Sequence, residues 1–142
     1  MCRISSKYHK FFINEYVYWR IELHTNQCYL GRSVVILKRH VEDLSEINDD
    51  ERNELFKIMR NLKNTLTIAF KPDLLNYASL GNKTNHLHLH VIPRYYGPIQ
   101  FAGQTFIDSR WGHNPSPYNK DFKVTDEVYE QIIKAIKTNL KL

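Results

Sequence analysis

The order of sequence patterns predicts an α+β fold, with an antiparallel sheet of about five strands and two main helices. Two or three hairpin-like strand segments come first, followed by a helix, two further strands, a long loop and a last helix. This order does not require parallel strands joined by crossover helices. The composition supports a packed core, because 42% of the 142 residues are hydrophobic and 13% are aromatic. We therefore expect a single domain over residues 1–142.

The first strands are expected to form a hairpin. Residues 16–24 are rich in β-branched and aromatic side chains that partly alternate with polar ones, a pattern typical of a strand. Residues 25–27 supply a tight turn, and residues 28–30 are expected to begin the return strand. Gly31 interrupts that strand, and the apolar run 33–37 continues it as a buried segment.

A long helix is predicted to follow the hairpin. Asn48 is a suitable N-cap, and Glu51, three residues later, completes a capping-box pattern. Leucine, isoleucine and methionine recur at helical spacing until Pro72 ends the pattern. Residues 74–80 and 86–94 then predict two more strands.

Three segments lie outside these elements. Residues 1–12 are polar and basic and are predicted to be loosely ordered. Residues 95–123 are rich in proline and glycine, which predicts an irregular loop with a short strand at 104–107. Residues 125–141 carry an apolar stripe at helical spacing, with acidic residues first and lysines late, and predict a C-terminal helix.

Charge and cysteine content narrow the class of protein. The net charge is +5, but the basic residues are spread along the chain. This distribution argues against a nucleic-acid partner and suits a polyanionic small substrate such as a nucleotide. The two cysteines form no CxxC pair, no signal-like stretch opens the sequence, and no apolar run reaches the ~18 residues of a membrane span. We expect a cytoplasmic protein without a membrane segment.

The segment His86-Leu87-His88-Leu89-His90 is the most informative part of the sequence. On a strand, side chains two residues apart share a face, so the three imidazoles are expected on one side and the leucines on the other. A slip of one residue would turn the histidines into the core, so the apolar face fixes the register.

Two functional interpretations of these histidines compete. Histidine is the commonest metal ligand, but the outer pair lies ~13 Å apart at ~3.3 Å per residue, too far to share one ion. No Cys, Asp or Glu lies close in the sequence to complete a metal site. The alternative is attack on phosphorus by a neutral imidazole whose other nitrogen is held by an acceptor. The central His88 is the best nucleophile candidate, and its neighbours can stabilise charge on phosphate oxygens.

The sequence HLHLHVI resembles the signature of the histidine-triad (HIT) nucleotide hydrolases and transferases, in which histidines alternate with apolar residues. Residues 30–41 also resemble the glycine-started strand and basic turn of that family. The helix from Asn48, the 75–81 strand and the Pro93-Arg94 ending follow in the family's order. The resemblance therefore covers roughly residues 16–95.

The resemblance implies an antiparallel α+β domain that usually forms a homodimer by joining two sheets. It implies cleavage of a nucleotide at its α-phosphate through a covalent nucleotidyl-histidine, with no obligatory metal and no cofactor. By position in the motif, His88 resembles the nucleophile, oriented by the backbone carbonyl of His86. His90 is expected to contact the phosphate or the leaving group, and His86 to support the histidine network. Because all three histidines are present, the resemblance favours the hydrolase branches.

Four further residues are substrate-binding candidates. Many relatives carry a fourth histidine directly after the glycine, where this sequence has Arg32, which either pairs with phosphate or lies on the solvent face. Asn82 and Lys83, on the loop that enters the catalytic strand, are candidates for the α-phosphate oxygens, although relatives often have Ser or Thr at the position of Lys83. Asn26 corresponds roughly to the residue with which relatives hold the ribose.

Trp111 is a candidate of a different kind. It lies in the segment after the triad, which varies most within the family and can shape the leaving-group side of the pocket. We expect either a substrate contact or a tryptophan that pins a surface loop to the core.

The predicted function is hydrolysis of an AMP- or NMP-linked substrate, either a dinucleoside polyphosphate or a nucleoside phosphoramidate. The basic residues Arg32, Lys83 and Arg94 favour the dinucleoside polyphosphate, because they suit a longer phosphate chain. Two alternatives stay open: a nucleotide-binding or interaction module without catalysis, and an enzyme that removes adenylate from nucleic-acid ends.

Overall fold

The computed structural model describes residues 10–141, which form a five-stranded antiparallel sheet with both helices packed on one face. The spatial order of the strands is β1-β2-β3-β5-β4, and a hairpin of β6 and β7 lies outside the sheet. The predicted fold class is confirmed. The strands are Phe12–Glu15 (β1), Trp19–Leu23 (β2), Ser33–Leu37 (β3), Leu74–Ala78 (β4), His88–Arg94 (β5), Ile99–Phe101 (β6) and Gln104–Phe106 (β7), and the helices are Asp49–Phe70 (α1) and Asp126–Asn139 (α2).

The helix α1 begins and ends where the sequence predicts. The Asn48 side chain accepts a hydrogen bond from the Glu51 N–H at 2.8 Å, and the Glu51 carboxylate accepts one from the Asn48 N–H at 2.9 Å. This reciprocal cap satisfies two backbone donors that have no partner inside the helix. At the other end the helix stops at Phe70, and Lys71 adopts the left-handed conformation before Pro72.

The hydrophobic core lies between one face of the sheet and the two helices. Strand β5 contributes Leu89 and Val91 and strand β3 contributes Val35 and Leu37, all at most 8% exposed. Burying one such aliphatic side chain is worth roughly 1.5–3 kcal/mol, so the whole set holds the register of the strands. The helices contribute Leu55, Ile58, Leu62 and Leu66 from α1 and Val128, Ile132 and Ile136 from α2.

The turn between β2 and β3 requires a glycine. Gly31 has a φ of +88°, and a Cβ atom at this position would lie 2.9 Å from the Phe70 ring of α1. Residues 28–30, predicted to begin the return strand, form part of this turn instead, and the Arg32 N–H donates to the Tyr29 carbonyl at 3.0 Å. Because Arg32 follows directly, the close approach of this turn to α1 fixes where Arg32 lies.

The predicted loose N-terminal segment 1–12 is wrong for its last residues. Phe11 is 6% exposed and packs edge-on against the Tyr129 ring at 5.1 Å, and Phe12 begins β1. The four-residue strand β1 was missed because its pattern is too short to identify without its partner β2. Residues 1–9 lie outside the described part of the chain.

The segment 95–123 is less irregular than predicted. Its expected short strand at 104–107 is β7, and it pairs with β6, which the sequence pattern did not indicate. Asp108 is also buried in this segment, and the Phe106 ring is 1% exposed. Within residues 10–141, neither helix has the length and hydropathy needed to cross a membrane.

Candidate active site

His88 and His90 lie on the face of the sheet opposite the helices. The register pairs His88 with Ile36 and His90 with Val34, so these four side chains share that face. All four are partly exposed, whereas the alternate residues of β3 and β5 are buried against the helices. The register therefore places His88 and His90 on the opposite face of the sheet from Leu89, as the sequence predicts.

The His88 imidazole is held by the backbone two residues before it. Its Nδ1 lies 2.8 Å from the carbonyl oxygen of His86. A carbonyl only accepts, so Nδ1 carries a proton, and in the neutral imidazole the lone pair then lies on Nε2. In that form His88 presents an unprotonated nitrogen on the face of the sheet opposite the helices.

His86 differs from the other two histidines, because it precedes β5 and its ring is buried at 3% exposure. Its Nε2 donates to the Leu37 carbonyl, and its Nδ1 lies 3.2 Å from Nδ1 of His40. Burial lowers the pKa of His86, and the nearby His40 lowers it further. The neutral His86 ring anchors the backbone whose carbonyl orients His88, and Nε2 of His40 reaches within 3.7 Å of the Glu42 carboxylate.

His90 is oriented by Arg32, which lies in the turn just before the neighbouring strand β3. Nη2 of Arg32 lies 3.3 Å from Nδ1 of His90. A guanidinium only donates, so Nδ1 of His90 accepts and its ring proton sits on Nε2. Burial, and then the Arg32 charge, lowers the pKa of His90 to about 4, which keeps the ring neutral at pH 7. His90 and His88, with ring centroids 5.1 Å apart, therefore carry their protons on opposite nitrogens.

Arg32 does not lie on the solvent face, since it is only 5% exposed. Its Nε and Nη1 atoms are buried and have no hydrogen-bond partner among residues 10–141. The Tyr118 ring lies over the guanidinium carbon at 4.7 Å, and no carboxylate of the described residues forms an ion pair with Arg32. Desolvation lowers the pKa of Arg32. The site therefore contains a buried positive charge without a counter-ion.

Sequence reasoning missed His24 and Tyr118. The His24 ring lies 5.7 Å from the His90 ring and 6.2 Å from the Tyr118 ring, centroid to centroid. Burial, followed by the Arg32 charge, lowers the pKa of His24 to about 3. Arg20, Glu22 and His24 alternate with the apolar residues of β2. This pattern could have placed His24 on the histidine face, the face of the sheet that carries His88 and His90. Tyr118 carried no comparable signal, because it follows a Pro-rich loop.

A small cleft opens next to His88, with a volume of about 240 Å³. Asn82 and Lys83 follow Gly81, which lines this cleft, and both side chains are exposed on the loop between β4 and β5. The structure thus places them on the loop that leads into β5, and their contact with phosphate stays a prediction. The cleft is lined by Glu42, Asp43, Ser79, Gly81, His86 and His88.

Asn26 and Trp111 have partners within the fold. The Asn26 side chain donates to the Asn119 carbonyl at 2.9 Å and accepts from the Cys28 N–H at 2.9 Å. It therefore connects the β2–β3 turn to the C-terminal loop, the segment 107–125 between β7 and α2. The Trp111 ring lies 5.9 Å from the Tyr96 ring, beyond the end of β5 that is remote from His88. The structure does not bring Trp111 to the histidines, and a substrate contact by either residue stays a prediction.

Arg94 was wrongly grouped with the phosphate-binding residues. It is 3% exposed, and its Nε lies 2.7 Å from the Asp108 carboxylate. Its other N–H groups donate to the second Asp108 oxygen, the Asn76 side chain, and the carbonyls of Arg110 and His113. All five guanidinium donors are used, so none is left for a phosphate.

The described residues contain no group of three or more His, Cys, Asp or Glu side chains arranged to hold a metal ion. On β2, Nε of Arg20 lies 2.9 Å from the Glu22 carboxylate. Each of these two charged side chains therefore has its ion-pair partner in the other. An imidazole whose Nδ1 is held by a carbonyl, beside a second imidazole and a guanidinium, is an arrangement suited to nucleophilic attack with stabilisation of negative charge.

A profile of the HIT domain family matches residues 9–97, which is more than half of the chain. The chain belongs to the HIT domain family. A curated relative, an uncharacterised HIT-like protein of Methanocaldococcus jannaschii, is 32% identical over 74 residues, which cover 47% of this chain and 55% of the relative. The matched part of this chain spans about half the length of the curated relatives.

Solved structures of other HIT proteins have the same fold. A hypothetical histidine triad nucleotide-binding protein from Sulfolobus tokodaii matches with a TM-score of 0.72 and 24% identity, over 92% of this chain and 83% of that one. A histidine triad protein from Sinorhizobium meliloti matches with a TM-score of 0.79 and 18% identity, over 97% and 96%. Membership of the HIT domain family supports a function in binding or hydrolysing nucleotides.

Proposed function

We propose that this HIT domain hydrolyses a nucleotide at its α-phosphate through a covalent nucleotidyl intermediate on His88. The observation that carries the proposal is the pair of hydrogen bonds that assigns the ring protons of His88 and His90 to opposite nitrogens. The carbonyl of His86 leaves a lone pair on Nε2 of His88, and Arg32 leaves a proton on Nε2 of His90. A nucleophile and a hydrogen-bond donor thus lie side by side on a rigid strand.

In the first step, Nε2 of His88 attacks the α-phosphorus and the bond to the leaving group breaks. The ring becomes positively charged, and the His86 carbonyl, which accepts from Nδ1, stabilises that charge. In the second step, water attacks the α-phosphorus, releases the nucleoside monophosphate and restores the His88 lone pair. Such transfer needs mainly positioning and electrostatic stabilisation, which a strand fixed by its buried face supplies.

His90 is proposed to contact the phosphate or the leaving group through its Nε2–H. Because its pKa lies near 4, it acts at pH 7 as a neutral hydrogen-bond donor. Asn82 and Lys83 are proposed to bind α-phosphate oxygens from the adjoining loop. Asn26 is proposed to lie near the ribose, and Trp111 to contact a part of the substrate that lies away from the histidines.

The experiment is product analysis by chromatography on three substrates: a diadenosine polyphosphate, an adenosine phosphoramidate and an adenylated DNA nick. We expect wild type to release AMP from the first or second, and the His88→Asn variant to release none. His113→Asn is the matched control, because His113 is exposed and lies in the C-terminal loop. A mass increase of one nucleotidyl group on the His88 peptide after rapid quenching would identify the intermediate.

Three results would contradict the proposal. AMP release that persists in His88→Asn would exclude His88 as the nucleophile. A folded wild-type protein that binds AMP but cleaves none of the substrates would be a nucleotide-binding module. Release from the adenylated nick alone would indicate an enzyme of nucleic-acid ends.

We also propose a homodimer, formed at the free edge of β4. Among the described residues β4 pairs only with β5, and a groove of about 820 Å³ runs between β4 and α1. Phe56 is 63% exposed and Tyr77 48% exposed along this groove, so apolar surface is available to a second copy. Light scattering should give a dimer for wild type and a monomer for Phe56→Asp, with the equally exposed Ile107 changed to Asp as the control.

A cytoplasmic location is proposed from the two cysteines of the sequence. Cys28, the one within the described residues, is a free thiol whose pKa is raised by burial. Reaction of the freshly isolated protein with a thiol reagent under denaturing conditions would show whether both cysteines are reduced in the cell.

A further inference from the structure

Arg32 is the described residue of the site whose hydrogen-bonding capacity is least satisfied. Only its Nη2 has a hydrogen-bond partner, Nδ1 of His90, while Nε and Nη1 are buried without one. A buried cation normally has a carboxylate or several acceptors around it, because leaving a charged group unpaired costs several kcal/mol. In the described part of the chain Arg32 has instead Tyr118, whose ring covers the guanidinium and whose polar side chain favours the charge, so the charge is compensated only partly.

The position of Arg32 shows what kind of anion would complete the site. Strand β3 runs antiparallel to β5, and Val34 lies opposite His90, so Arg32 lies on the side of His90 away from His88. Along this face the order is His88, His90 and then Arg32, so a substrate that extends from Nε2 of His88 past His90 would carry its leaving group to Arg32. An anionic group directly attached to the scissile bond would therefore meet the guanidinium.

We propose that Arg32 is a specificity-determining residue that binds a phosphate group of the leaving group. This inference rests on the proposed nucleotidyl transfer to His88 and narrows the substrate to a nucleoside polyphosphate, in which the scissile bond is a phosphoanhydride. A phosphoramidate with an uncharged amine leaving group offers Arg32 no acceptor of this kind. The planar guanidinium is well suited to bind phosphate oxygens through two donors at once.

The reaction with a phosphoanhydride balances without an acid from the protein. The lone pair of His88 Nε2 forms the bond to the α-phosphorus, and the electrons of the broken P–O bond stay on the β-phosphate, which leaves as an anion. Arg32 and the His90 Nε2–H stabilise that anion, and the water that later releases AMP gives up its proton to solvent. An amine, in contrast, must be protonated as it leaves, and a His90 ring that is neutral at pH 7 is a poor proton donor.

Tyr118 controls access to Arg32. Its ring covers the guanidinium, and it belongs to a stretch without regular secondary structure between β7 and α2. A phosphate reaches the donors that His90 leaves unused when this side chain moves aside, and the ring covers the guanidinium when no substrate is bound. A variant without the ring should bind the phosphoanhydride more easily.

The test compares AMP release from diadenosine triphosphate and from an adenosine phosphoramidate with an amine leaving group. We expect wild type to favour the triphosphate in kcat/KM. Arg32→Gln can keep a donor near His90 but loses the charge, so the ratio of the two kcat/KM values should fall about 10- to 100-fold, as expected for loss of charge-assisted hydrogen bonds. Arg32→Lys keeps the charge and should retain more of the ratio than Arg32→Gln.

Tyr118→Ala provides the second variant. It should retain or raise the preference for the triphosphate, since it uncovers Arg32, and it decides the question if the Arg32 variants do not fold. A wild-type enzyme that cleaves both substrates equally, a ratio unchanged in Arg32→Gln, or a preference lost in Tyr118→Ala would each overturn the role of Arg32. In all three cases AMP would still be released, whereas failure of the proposed function would leave both substrates intact.

Discussion

Two buried arginines, both on the side of His90 away from His88, differ in almost every interaction. Arg94 is 3% exposed and Arg32 is 5% exposed, so burial does not distinguish them. Arg94 donates five hydrogen bonds, two of them to Asp108, whereas Arg32 donates one, to His90, and has no carboxylate partner among the described residues. The difference lies in the number of donors that the fold itself uses.

This difference separates a structural residue from a functional one. Arg94 fixes the loop after β7 to strand β5, because Asp108, Arg110 and His113 all belong to that loop. Farther along the same segment, Tyr118 reaches Arg32. Arg94 therefore holds the fold around the site, whereas Arg32 keeps donors that the described part of the fold does not use and that we propose bind a substrate phosphate. In the sequence, both are simply basic residues that suit a phosphate. They differ in the number of guanidinium donors that already have hydrogen-bond partners within the described fold.

The largest effect is expected when Arg94 is removed. Arg94→Met leaves Asp108 buried without its partner, and breaking such a pair costs about 3–5 kcal/mol in the free energy of unfolding. Urea unfolding followed by circular dichroism measures this loss.

Arg32→Met is the matched control, because it makes the same chemical change at the other buried arginine. It removes a charge without a counter-ion together with two unpaired donors, so its free energy of unfolding should stay within about 1 kcal/mol of wild type. Equal losses in the two variants would show that the two regions do not differ as described.

Acid should destabilise the Arg32 region more than the Arg94 region. The pKa of His90 is about 4 and that of His24 about 3 in the folded protein, against about 6.5 unfolded. Below pH 6.5 the unfolded chain binds protons that the folded chain does not, so this stability is complete above pH 6.5 and is lost as the pH falls towards 4. At about 1.4 kcal/mol per pKa unit, His90 accounts for at most about 3.5 kcal/mol of stability, and solvent screening reduces that figure.

The Arg32 charge is the second cause of both depressed pKa values, after burial. Arg32→Met should therefore lose less stability than wild type between pH 6.5 and 4, whereas Arg32→Lys, which keeps the positive charge, should stay closer to the wild-type slope. Urea titrations at several pH values measure these slopes. An identical slope in wild type and Arg32→Met would mean that the arginine does not act on these histidines.

The smallest effect is expected at Tyr29, whose ring lies over the Arg94 guanidinium at 5.1 Å. Its hydroxyl donates to the Pro115 carbonyl at 2.7 Å. Tyr29→Phe keeps the ring and loses this hydrogen bond, which should cost about 1 kcal/mol of stability and leave AMP release near the wild-type rate. A large loss of activity at unchanged stability would place Tyr29 in the site rather than in its support.

Much of the fold could be predicted because its signals are local. The Asn48 cap, the stop before Pro72 and the alternation in β5 are all read from neighbouring residues. The four residues of β1 could not be predicted in this way, because such a short strand is defined by its pairing with β2. The prediction that residues 28–30 begin a strand was wrong for a related reason. The turn is shaped by the close contact between Gly31 and Phe70, which are far apart in the sequence.

The site was predicted in the same uneven way. The alternation of histidines identified His88 and His90, whose orientation depends on one strand. The proton position on His90, however, depends on Arg32, which lies 58 residues earlier in the chain. His24 and Tyr118 join the site only through the register of the sheet and the path of the C-terminal loop, so no local pattern could combine them.

The most direct test of the account is the position of the ring protons on His88 and His90. Long-range ¹⁵N–¹H NMR of the labelled protein at pH 7 measures it, with His88→Asn and His90→Asn spectra to assign the signals. We predict a proton on Nδ1 of His88 and on Nε2 of His90. Protons on the same nitrogen of both rings, or a His90 proton on Nδ1, would contradict the pairing of nucleophile and donor on which the proposed function depends.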